Sequence, residues 1–63
     1  MKWQYFRIKG IDGRIYRYYL HPTEKLYYVE ELFGGDWFHM GRVHTLGDHW
    51  EDITEDEAFL EMV

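Results

Sequence analysis

Two runs of β-branched and aromatic residues, 14–20 and 25–33, flank the turn His21-Pro22-Thr23-Glu24. Such runs around a turn predict a β-hairpin. A period of two sets Tyr16, Tyr18 and Leu20 on one side of the first run, with Ile15, Arg17 and Tyr19 on the other. In the second run Leu26, Tyr28, Glu30 and Leu32 face one way, and Tyr27, Val29, Glu31 and Phe33 the other. Residues 29–33 are also compatible with a helix. The run Leu26-Tyr27-Tyr28-Val29 decides for a strand, because such side chains fit a pleated surface. Pro22 has no N–H to donate, so the first run must stop near His21.

The same pattern extends to both sides. Residues 2–9 predict a strand with Gln4, Phe6 and Ile8 opposite Trp3, Tyr5 and Arg7. Asp12-Gly13 then supplies the positive φ of a tight hairpin. After the turn at residues 34–36, residues 37–43 alternate Trp37, His39, Gly41 and Val43 against Phe38, Met40 and Arg42. Gly41 inside a strand marks a bulge or a close backbone approach. Residues 44–48 read as a loop with Gly47 at positive φ, and residues 49–53 as a short fifth strand. Thr54-Glu55-Asp56-Glu57 is a capping box, with Ile53 placed to staple onto Ala58. The helix at 55–63 is too short to stand alone in water. It is expected to dock through Phe59, Met62 and Val63. The fold class is α+β, mostly β: one domain over residues 1–63, an antiparallel four- to five-stranded meander with one short C-terminal helix.

Composition narrows this further. The 63 residues include no cysteine, which excludes disulfides and thiolate metal sites. Stability must come from the core, and aromatics, at 21% of the chain, supply the bulk for it. Missing cysteine fits a cytoplasmic protein. No apolar run approaches the roughly 20 residues of a membrane span. The charge of −5 is unevenly placed. Residues 1–25 hold six bases and two acids, whereas residues 26–63 hold Arg42 and ten acids. Basic strands paired with acidic ones would explain this. So would an acidic face that meets a basic partner.

No motif dictates a chemistry. His39, His44 and His49, near Asp48, Glu51 and Asp52, have the ligand types for a divalent ion. Their five-residue spacing matches no familiar metal motif, so no metal or other cofactor is expected. There is no serine or cysteine nucleophile, and so small a chain builds little cleft, so no enzyme is expected. Arg14 and Arg17 interleaved with Tyr16, Tyr18 and Tyr19 fit a nucleotide or single-stranded nucleic acid, which is the alternative reading. The negative charge opposes it. Rings on both sheet sides, more than one short helix can cover, favour a small non-catalytic protein-binding module. It would be an acidic inhibitor or accessory protein of viral or mobile-element type, binding a host protein, with a homodimer also expected. The expected anchors are Tyr16, Tyr18, Tyr19, Tyr27 and Trp37, and the steering charges Glu51, Asp52, Asp56 and Glu57.

Overall fold

A computed structural model describes residues 2–62, with side chains through Leu60. Among these residues five strands and one helix form: β1 (Gln4–Ile8), β2 (Tyr16–Leu20), β3 (Tyr27–Phe33), β4 (Asp36–Val43), β5 (Trp50–Ile53) and α1 (Glu55–Met62). They make one antiparallel sheet in the order β4-β3-β2-β1-β5. The expected class is therefore present. The fifth strand does not continue the meander beyond β4. It crosses to the opposite edge and pairs with β1, with Phe6 opposite Asp52 and Ile8 opposite Trp50.

That crossing constrains the shape. In a flat sheet β4 and β5 would lie about 19 Å apart, four strand spacings. From Val43 to Trp50 the chain spans only about 23–25 Å when fully extended, and residues 44–49 contain bends and a turn. A curled sheet shortens this crossing, and its natural twist allows it. Val43 and Trp50, at the two ends of the crossing segment, both pack against the buried cluster Phe6, Tyr16, Tyr18 and Val29. Phe6 is only 1% exposed. Trp50 stacks on it with ring centroids 4.1 Å apart, and Tyr18 touches both Tyr27 and Trp50. This is the concave face.

Gly47 departs from expectation outright, and Asp12-Gly13 in part. Gly47 is not at positive φ; its constraint is space. A Cβ there would stand 2.5 Å from the indole Nε1 of Trp50, and the Gly47 carbonyl accepts a hydrogen bond from Trp50 N at 3.1 Å. Gly13 has the expected positive φ, but the hairpin it serves is not tight. Gly10 and Gly13 both take positive φ within a longer connection between β1 and β2. Gly41, by contrast, sits at the expected bulge. Val29 pairs with Gly41 and Glu30 with His39, so Met40 is the extra residue. The bulge also corrects the alternation of β4. Gly41 and Val43 share the concave face with Phe38, and Arg42 joins Trp37 and His39 on the other.

The helix begins as its capping box requires. Glu57 N donates to Thr54 Oγ1 at 3.1 Å, and Thr54 N donates to Glu57 Oε1 at 3.3 Å. It docks mainly against β1. Ala58, 0% exposed, makes the seat, while Phe59 is largely exposed. A small residue lets the helix approach the sheet closely, whereas Phe59 lies one position round the helix. The roles expected of Met62 and Val63 lie outside the described residues. No described helix is long and apolar enough to cross a membrane.

Gly47→Ala should destabilise the protein by about 1–3 kcal/mol, the usual cost of overpacking. Urea unfolding followed by tryptophan fluorescence checks this. Gly13→Ala, where a Cβ meets nothing within 4 Å, should act through backbone strain alone and leave the Trp50 signal unchanged.

Candidate functional site

The convex face carries a layer of rings and charges. Arg17, on β2, lies between two indoles, its guanidinium carbon 4.0 Å from the ring centroid of Trp3 and 4.3 Å from that of Trp37. Its Nε also donates to Glu30 Oε1 at 2.8 Å, across the register pair Arg17 and Glu30. Tyr19 meets the edge of Trp3 at 4.8 Å and lies 5.3 Å from Tyr28. Tyr5 leans on Trp37, and Tyr28 on His39. A guanidinium between two rings satisfies a cation and covers aromatic surface at once.

A second cluster lies at the β2–β3 end. Tyr28 donates its hydroxyl hydrogen to Glu24 Oε2, and Arg42 Nη1 donates to Glu24 Oε1 at 3.2 Å. The Tyr28 hydroxyl, helped by His21 and Arg42, holds the Glu24 carboxyl below its ordinary value. The same hydrogen bond pushes the Tyr28 phenol upward. Beside this cluster lies an open cavity of about 410 Å³ lined by Lys2, Tyr19, Leu20, His21 and Pro22.

The anchors expected from sequence are divided between two faces. Tyr16 and Tyr18 are core residues, packed on Phe6. That overturns their expected role as partner anchors, because a partner cannot reach them. Burial and the nearby Asp52 raise the Tyr18 phenol above its ordinary value. Tyr27 is half-buried against Tyr18. Tyr19 and Trp37 lie on the convex face, half-buried among the rings and Arg17. Of the steering charges, Glu51 is held by Arg7, whose Nη2 lies 2.6 Å from its Oε1, and Glu57 is part of the helix cap. Glu51 also raises the Arg7 guanidinium above its ordinary value. Asp52 and Asp56 are exposed. Among the described residues no group of three His, Asp or Glu side chains is placed to hold a metal ion.

The most exposed rings were not among the expected anchors. Phe33 is 73% exposed, Phe38 52% and Met40 56%. Phe33 and Phe38 meet edge to face at 6.3 Å. The β3–β4 hairpin runs past the end of β2, whose last partner on β3 is Glu31, so no strand flanks its tip. β4 is also an edge strand. The available signal was the turn Gly34-Gly35 set between Phe33 and Phe38, which projects both rings from one hairpin end. The chain matches no protein-family model, no curated protein and no solved structure.

Arg17→Lys should cost about 1–2 kcal/mol, since an ammonium cannot lie flat between two indoles. Urea unfolding measures the loss, and a red shift of tryptophan emission reports the opened stack. Glu24 governs acid sensitivity with a definite sign. Its folded value is depressed, so its contribution is present above the ordinary carboxylate range and is lost as pH falls through the folded value. Glu24→Gln should therefore flatten the stability curve below about pH 4.5. Thermal melts across that range would read this.

Proposed function

We propose that this protein is a small non-catalytic protein-binding module that docks through the tip and outer edge of its β3–β4 hairpin. The observation that carries the reading is the exposure of Phe33 at the end of β3 together with Phe38 and Met40 on the edge strand β4. Adjacent exposed rings at such a site are typical anchors of protein interfaces. An edge strand adds unpaired main-chain groups that an extended partner segment can meet. The net charge of −5 favours a basic partner surface, with Asp52 and Asp56 free to steer approach. Small size and acidity suit an inhibitor or accessory protein of the kind encoded by viruses and mobile elements, acting on a host protein.

Nucleic-acid binding has weaker support. The rings that would stack on bases already stack on one another and on Arg17. Arg14 and Arg17 face Glu31 and Glu30.

Phe33→Ser combined with Phe38→Ser should leave the thermal melt near that of the parent, since both rings are largely in water. The pair should weaken capture of the partner from source lysate by at least about 30-fold, the effect of roughly 2 kcal/mol at a hot spot. Unchanged capture by the double variant overturns the assignment of the hairpin. Sedimentation in parallel identifies a second copy as the partner if a 15–16 kDa species, about twice the 7.8 kDa chain, collapses to monomer in the variant.

A further inference from the structure

The β2–β3 turn is held from inside by an imidazole. Its backbone closes through Lys25 N donating to His21 O at 3.0 Å, and His21 N donating to Leu26 O at 2.8 Å. Within this loop the His21 ring folds back over the turn. Its Nδ1 lies 3.4 Å from Thr23 N and 3.2 Å from Glu24 N, with Thr23 Oγ1 at 3.2 Å. Two backbone N–H groups aimed at one ring nitrogen require a lone pair there. In this arrangement the ring is neutral and carries its proton on Nε2.

The far side of the ring is also occupied. Nε2 lies 3.8 Å from Glu24 Oε2, the carboxylate that takes hydrogen bonds from Tyr28 and Arg42. Tyr28 stacks on the imidazole at 5.1 Å, and Tyr19 lies at 6.4 Å. Lys2 shares the cavity wall with His21. The titratable and charged groups around the ring are thus Glu24 from the turn, Tyr19 from β2, Tyr28 from β3, Arg42 from β4 and Lys2 ahead of β1. His39 stands beyond Tyr28, 6.0 Å from that ring.

We propose that the β2–β3 turn is a proton-operated latch: neutral His21 caps the amides of Thr23 and Glu24, and protonated His21 releases them and pairs with Glu24. Both states have their partners in place. A proton on Nδ1 turns the acceptor into a donor that faces two other donors. The resulting cation has a carboxylate close to Nε2. Lys25 is the one described non-glycine residue at positive φ, at 60°, so this turn carries backbone strain that the caps help to hold. Releasing them lets the loop relax. Leu20, His21 and Pro22 form most of the cavity wall, so the cavity changes shape with the turn. Histidine is the side chain suited to do this between pH 5 and 8.

The test is a pH titration of the intact chain from 8 to 5 by NMR, reading the His21 ring nitrogens and the Thr23 and Glu24 amides. At high pH the Nδ1 signal should be that of an unprotonated acceptor. The two amides should shift, and their hydrogen-exchange protection, corrected for intrinsic rates, should fall at least tenfold, all with the midpoint of the His21 ring. His21→Asn, whose side-chain oxygen can cap the same amides, should keep them protected and remove the pH response. Amides that do not follow the His21 midpoint in the parent chain overturn the latch. So does an equal response in the asparagine variant.

Discussion

Trp50 stacked on Phe6 is the contact on which the rest of this structure depends. It fastens β5 to the edge of β1 after a crossing of only residues 44–49, and it draws both edges of the sheet onto one cluster, which curls the sheet. The curl shuts Tyr18 between Tyr27 and Trp50 and leaves Phe6 almost without solvent. A chain of this size without cysteine has no disulfide to staple it. Gly47 belongs to the same contact, because the indole needs the space that a Cβ would take. The helix follows from it too. β5 leads directly through Thr54 into α1, so fixing β5 beside β1 fixes where Ala58 can seat.

The convex face solves a different problem with the same residue types. A sheet whose inner face is sealed by its own curl still has five large rings on its outer face: Trp3, Tyr5, Tyr19, Tyr28 and Trp37. They shield one another, and Arg17 fills the gap between the two indoles. The uneven charge along the chain is met in part by pairing. Arg7 meets Glu51, Arg14 meets Glu31, Arg17 meets Glu30, and Arg42 meets Glu24. Two of these pairs, Arg7–Glu51 and Arg17–Glu30, stand directly opposite in the strand register. Exposed pairs of this sort contribute little each. Their larger effect is on register, since a one-residue slip would carry every one of these arginines to the other face.

Much of this could be read from the residues. Period-two alternation placed the faces of β1, β2 and β3, because each has a neighbour on both sides that enforces the pleat. The capping box placed the helix start, because its hydrogen bonds are local. Gly41 announced the bulge. What could not be read depends on contacts between distant parts of the chain. Nothing in residues 44–49 says which edge β5 will join; that is decided by Trp50 finding Phe6. Alternation set Tyr16 and Tyr18 opposite Tyr19 without saying which side is sealed; curl buries the first two and leaves the third half-covered. The bulge reversed the faces of Arg42 and Val43, which strict alternation cannot foresee.

The contrast between the rings that are covered and those that are not bears on where this molecule meets others. Aromatic residues at 21% of the chain do not by themselves make a binding face, because rings can satisfy one another by stacking. On both sides of this sheet they do. The exception is local and has a geometric cause: β3 and β4 are longer than β2, so their tip passes beyond any strand that could flank it. Phe33 and Phe38 are left in water there with Met40 beside them on the edge. An edge strand is normally blunted by charge, proline or a bulge. β4 has its bulge at Met40-Gly41, but the stretch Trp37-Phe38-His39 before it carries no charged side chain to keep a partner away. The bulge guards one half of the edge and leaves open the half, residues 37–39, that carries Phe38.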